Sequence, residues 1–123
     1  MSTQGIQGIM IETSSWKESK DFWTQLGFKL DFETDHGSGQ FSHPDGGPYV
    51  FVAERTEGAT LEVQPVLGVT DSESFTPPAA GKVAIEFKPR HWGVMEMLVR
   101  DPDGRRLSIQ GPLPEGVSAP ADG

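Results

Sequence analysis

The chain has 123 residues, near the usual size of one domain, with 18 acidic against 10 basic side chains and a formal charge of −8. That balance repels phosphate backbones and anionic lipid, so nucleic acid and membrane are not expected as partners, whereas a cationic ligand would be attracted. No cysteine is present, which removes disulfides and thiolate metal sites.

The N-terminal stretch "MSTQGIQGIMIETSS" lacks the basic region and long apolar run of a signal peptide, and no apolar run suits a bilayer, so a cytoplasmic location is expected. "GIQGIMIETSS" sets Ile9 and Ile11 against Gly8, Met10 and Glu12, the alternation of a strand. The period then changes. Ser14 and Ser15 are candidate N-caps, Glu18 completes a capping-box pattern with Ser15, and Gly27 is a candidate C-cap. Between them Trp16, Ser19, Phe22, Trp23 and Leu26 share one face, which predicts an amphipathic helix of about three turns laid on a sheet. In "FKLDFETD", Phe28, Leu30 and Phe32 alternate with Lys29, Asp31 and Glu33, predicting a half-exposed strand. "QFSHPDGGPYVFVAE" predicts two short strands around the turn "HPDGGP".

The second half opens with the predicted strand "ATLEVQPVLGV". "TDSESFTPPAAGK" has paired prolines and little apolar periodicity, so one or two helical turns are the most it is expected to hold. "KVAIEFKP" and "GVMEMLVRD" follow as strands, "DPDG" as a turn and "RRLSIQGP" as the closing strand. Residues 113–123, "LPEGVSAPADG", are small, polar and Pro-rich, and a flexible tail is expected there.

Two stretches then stand out together. "SWKESKDFWTQLGF" has the shape S-x-x-F-[YW]-x-x-L-G-F, and "HWGVMEMLVRDPDGRRLSI" has the shape W-G-x-x-x-x-x-x-R-D-P-x-G. In this order and separation the chain resembles the vicinal oxygen chelate superfamily, which includes glyoxalase I, extradiol dioxygenases, fosfomycin-resistance enzymes and bleomycin-resistance proteins. The resemblance implies an α+β fold of paired βαβββ modules, about 5–55 and 58–112, the second helix reduced. Together they would form one domain, 1–112, with a cupped mixed sheet. It also implies a homodimer with possible exchange of strands. A physical reason supports the pairing: modules of this size do not easily enclose a large ligand alone, and exposed sheet edges invite partners.

Metal-dependent members of that superfamily carry a His or Gln near the start of the first strand and a Glu on the last strand after the D-P-x-G turn. The matching positions here are about Gly8, with Gln7 beside it, and Ser108, and neither Gly nor Ser is a good ligand for a divalent ion. No metal and no other cofactor is therefore expected, unless a strand slipped by one residue brings Gln7, Glu62, Gln64 or Gln110 inward. His36 and His43 flank a turn and His91 begins the last hairpin, without the short spacings of paired imidazole ligands. Asp101 is explained by the "DPDG" turn, with Arg100 beside it, and no nucleophile motif or phosphate loop is visible.

The resemblance lies nearest to the bleomycin-resistance type, which implies a protein that catalyses nothing and withholds an antibiotic by holding it between subunits. The expected ligand is a large aromatic or cationic natural product: a bleomycin-type glycopeptide, an enediyne or another polycyclic antibiotic. Such a groove needs planar rings, adaptable apolar surface and a few polar anchors. Trp92 is the expected stacking wall, with Tyr49, Phe41 and Phe51 opposite and Trp16 as a gate. Met10, Met95 and Met97 would supply adaptable surface, and Gln64, Ser108, Gln110 and His91 polar contacts. Glu12, with Glu62 or Glu86, would add polar contact and charge if it faced inward. Core packing or solvent exposure is the alternative for each of these side chains. The rival functions are a metal-dependent enzyme of the same superfamily, a dioxygenase, glyoxalase or thiol transferase, and a small-metabolite carrier with no resistance role.

Overall fold

The computed structural model describes residues 2–121. They form two compact units, one of Gln7–Gln64 and one of Pro65 onward together with the N-terminal residues through Ile6. The first is a βαβββ module and the second repeats its strands with a 3-10 turn in place of the helix, which together give an α+β chain of paired modules.

The first unit contains β1 (Ile6–Thr13), α1 (Trp16–Gln25), β2 (Lys29–Glu33), β3 (Ser38–Ser42) and β4 (Tyr49–Glu54), ordered β2-β3-β4-β1 in the sheet. β1 runs parallel to β4, while β3 is antiparallel to both β4 and β2. The helix starts at Ser15, whose extended backbone leaves its hydroxyl free to accept from the Glu18 N–H at 3.3 Å. It stops at Gly27, whose φ of 94° is open to a residue without Cβ. The Phe28 N–H then bonds back to the Trp23 carbonyl, and the two rings meet edge-on at 5.2 Å. Trp16 and Trp23 cover the core of Phe41, Val50 and Val52, joined by Ile9, Ile11, Phe28 and Leu30.

Two expectations are corrected here. The buried face of α1 is narrower than its pattern: Phe22 and Leu26 are 57% and 51% exposed, because the two indoles already span the sheet. Strict alternation in β2 also fails. A bulge between Leu30 and Phe32 pairs Leu30 with Phe41 on the core side but Phe32 with Gln40 on the other face.

The second unit contains β5 (Val63–Gly68), a 3-10 turn (Ser72–Ser74), β6 (Lys82–Pro89), β7 (Val94–Arg100) and β8 (Arg106–Pro112), ordered β5-β8-β7-β6. The reduced helix has a local cause. Asp71 caps the turn through the Glu73 N–H and the Ser74 hydroxyl, and Pro77 and Pro78 then deny further helical hydrogen bonds. Val69, Met97, Val99 and Ile109 form this core, with Leu67, Phe75, Val83, Phe87 and Leu107 against it. Hydrogen bonds between Gly68 and residues Gln4 and Gly5 tie the N-terminal segment to this unit. Beyond Pro112 the described residues hold a turn, Pro114 to Val117, and no strand or helix; the last two residues of the expected tail lie outside the described residues. Among the described residues no helix is long and apolar enough to cross a membrane.

Candidate ligand-binding faces

In each unit one face of the sheet is closed by its core, and the opposite face carries Tyr49, Phe51 and Glu12 in the first unit and Glu96, Ser108 and Gln110 in the second. In the first unit the pairs Gly8 with Tyr49, Met10 with Phe51 and Glu12 with Ala53 lie on that opposite face. Tyr49 leans over Gly8 so closely that a Cβ built there would stand 2.4 Å from the ring. Phe51 is 6.4 Å from Phe32, ring centre to ring centre. Glu12 is buried, accepting 2.8 Å from Arg55 Nη1 and 3.1 Å from the Glu62 N–H. Gln64 is buried as well.

The sheet separates the aromatic walls that the sequence grouped. Phe41 pairs with Val50 on the core side and has no exposed surface, so it packs rather than faces a ligand. Trp16 packs tilted against Phe41, ring centres 5.7 Å apart, and its Nε1 donates to Glu33 Oε2 at 2.9 Å. Both therefore lie across the sheet from Tyr49, Phe51 and Met10.

In the second unit, alternation along β7 puts Met95, Met97 and Val99 on one side and Glu96 and Leu98 on the other. Met97 is a core residue, 3% exposed. On the far side Glu96 is 5% exposed and engaged at both oxygens. Arg90 Nε donates to Oε1 at 2.7 Å, and the Ser108 hydroxyl donates to Oε2 at 2.6 Å. Gln110 Nε2 reaches Ser108 Oγ at 3.0 Å and Glu96 Oε2 at 3.4 Å. Ser108 and Gln110 are thus brought together by a carboxylate to which the sequence reading gave no role, and Arg90 was not singled out. The signal was present: a carboxylate inside the apolar run "VMEMLV" must find partners once that strand is buried.

At the start of the hairpin Trp92 is 48% exposed. The Arg90 guanidinium carbon stands 5.5 Å from its ring centre and His91 meets it edge-on at 5.0 Å. The hairpin turn itself is fixed by Asp101, whose Oδ1 accepts the N–H groups of Asp103 and Arg105. The Arg105 N–H, with its guanidinium and the Asp103 N–H, holds the Asp101 carboxyl below its ordinary range despite its desolvation. Lys20 and the Trp16 indole do the same for Glu33.

A divalent ion does not suit these residues. Gly8 offers no ligand and lacks room for one beneath Tyr49, while Ser108 is spent on Glu96, itself saturated by Arg90 and Ser108. Among the described residues no three His, Cys, Asp or Glu side chains gather where they could hold a metal.

No family model and no curated protein matches the chain. Solved structures do. A glyoxalase/bleomycin resistance protein/dioxygenase superfamily member from Vibrio splendidus 12B01 is 19% identical with a TM-score of 0.60, over 85% of this chain and 96% of that one. BphC, a halotolerant catechol dioxygenase, is 14% identical with a TM-score of 0.61, over 93% of this chain. The 2,3-dioxygenase LapB from Pseudomonas sp. KL28 is also 14% identical with a TM-score of 0.61, over 96% of this chain. The chain spans only 42% and 46% of those two dioxygenases. It has the vicinal oxygen chelate fold, that of the glyoxalase/bleomycin resistance/dioxygenase superfamily.

Proposed function

We propose that this vicinal oxygen chelate fold serves as a metal-free binding protein, one that holds a large aromatic natural product and so keeps it from its target. The observation that carries the reading is the closure of both positions where metal-dependent members place ligands. Tyr49 lies on Gly8, and Ser108 is bonded to a buried carboxylate already matched by Arg90. What remains for chemistry is recognition. Trp92 offers a half-exposed ring, backed by Arg90, for stacking worth on the order of 1 kcal/mol beyond burial. Tyr49, Phe51 and Met10 form the corresponding apolar surface of the first unit, with Gln110 as a polar contact in the second. The protein acts as a homodimer in this reading, since neither four-stranded module encloses a bulky ligand alone.

The test is stoichiometry. Protection of a drug-sensitive target by chelator-treated protein should rise only until protein equals drug, with the drug recovered unchanged. Protection far below equimolar protein, or a chemically altered drug, would replace sequestration with catalysis. Binding without protection in a sensitive host would favour a metabolite carrier.

A further inference from the structure

In the first unit α1 lays Trp16 and Trp23 over the core of Phe41, Val50 and Val52. In the second unit the segment "TDSESFTPPAAGK" lies against the corresponding core, and Pro77 and Pro78 end its helical hydrogen bonding after one 3-10 turn. Phe75 is the one ring it can set on the strands. The cover over that core is therefore incomplete. A cavity of about 560 Å³ remains, all of it within this unit, with Leu67, Val99, Leu107 and Ile109 as its floor and Phe75, Pro77 and Pro78 as one wall. Its volume is within the range of small-molecule sites, roughly 300–1,000 Å³. The register sets Val99 and Leu107 on the side of β7 and β8 opposite Glu96 and Gln110, so the cavity is separate from the polar face described above.

The walls are fixed by contacts within the chain. Asp71 caps the turn, and the Gly81 N–H returns to the Pro78 carbonyl at 3.2 Å. Gly81 lies so close to β7 that a Cβ built on it would stand 2.7 Å from the Arg100 carbonyl oxygen. Phe75 is braced edge-on by Phe87, ring centres 6.1 Å apart. Ser2 and Thr3 close the opposite side, anchored by the Gln4 N–H on the Gly68 carbonyl at 2.7 Å. A preformed cavity spares its ligand the cost of ordering the walls.

The lining selects the chemistry. Val99 and Ile109 are buried and Leu67, Phe75 and Leu107 half-buried, whereas Ser2, Thr76, Lys82 and Arg100 are exposed at the rim. The two half-buried polar side chains are engaged within the chain: Thr3 accepts the Gly5 N–H at 3.3 Å, and Asp101 holds the hairpin turn. A charged group carried inside would lose its water without gaining a partner.

We infer that this cavity binds a compact, uncharged, hydrocarbon-rich molecule, of the size of a small cyclic terpenoid, held by dispersion and exclusion of water. The inference neither needs nor excludes sequestration on the other face.

Titration of the full chain with 1-adamantanol, a saturated cage that cannot stack on Trp92, tests it through the methyl resonances in proton–carbon NMR. Methyls of Leu67, Val99, Leu107 and Ile109 should shift together and saturate on one curve, while those of Val50 and Val52 in the first unit stay in place. Leu107→Phe, which puts a ring into the empty space, should weaken binding roughly tenfold or more. The charged cages 1-adamantanecarboxylate and 1-adamantanamine should each bind at least about fivefold more weakly than the alcohol. If Leu107→Phe does not fold, the pattern of shifts in the parent and the order of the three probes decide. No saturable shift, shifts centred elsewhere, or binding untouched by Leu107→Phe overturns the inference. A charged cage that binds as tightly as the alcohol overturns the ligand class. A dimer mass that Leu107→Phe abolishes, with no shift from any probe, would give the cavity to a second copy, whose Phe22 and Leu26 are exposed. The stoichiometry of drug protection is read separately, so each of these outcomes leaves sequestration to its own test.

Discussion

Gly8→Ala separates a closed first-strand position from an open one. The backbone at Gly8 does not adopt the left-handed region, so alanine there is conformationally acceptable and would by itself stabilise by about 0.4–1 kcal/mol through the unfolded state. The Tyr49 ring reverses that sign. With ring carbons 2.4 Å from the new Cβ, the ring must swing away or the strand must shift, and such overpacking costs about 1–3 kcal/mol. Tyr49→Ala removes the obstacle. In the double variant the alanine should be tolerated, giving a favourable coupling of about 1–3 kcal/mol between the two sites. Urea denaturation of the four proteins, with the slope checked for constancy, measures it. A Gly8→Ala variant at least as stable as the parent, or additive effects within about 0.5 kcal/mol, would mean the ring does not fill that position.

Arg90→Met leaves the buried Glu96 carboxylate without its cation and should cost about 3 kcal/mol by denaturant titration, while Glu96→Gln, which retains hydrogen bonds, should cost clearly less. Ser15→Ala removes the hydroxyl that caps α1 and should cost about 1 kcal/mol; calorimetry would register it as a lower Tm. For pH, the folded Asp101 carboxyl lies below its ordinary value of 3.8, so its contribution is complete above that value and disappears as pH falls through the folded one. Asp101→Asn should therefore flatten the acid limb of a stability–pH curve below about pH 4 and leave the curve above pH 5 parallel to the parent's; an unchanged limb would contradict that origin.

Much of the fold was legible because local signals agreed. Ser15 and Gly27 bracket the helix, the prolines at 77 and 78 stop a second one from growing, and Ile9 and Ile11 group against Gly8 and Met10 as strand alternation requires. The side of the sheet to which each group turns was not legible. Apolar side chains occupy both faces of β4, so alternation sorts Val50 and Val52 from Tyr49 and Phe51 without saying which pair is core. Phe41 was misplaced for that reason, since its parity relative to β4 depends on the geometry of the "HPDGGP" turn. Phe32 escaped because a bulge is a property of the paired strands. The polar side of the candidate site was hidden in register: Glu96, Ser108 and Gln110 lie up to 14 positions apart and meet only when β7 and β8 align.

The most direct test of the account is equilibrium dialysis of chelator-treated protein, parent and Trp92→Ala, against a panel of polycyclic antibiotics, followed by recovery of the compound. Saturable binding by the metal-free parent, weakened in Trp92→Ala and returning an unaltered compound, is the result the closed positions at Gly8 and Ser108 predict. Binding or turnover that appears only when Mn²⁺, Fe²⁺ or Zn²⁺ is restored would contradict it.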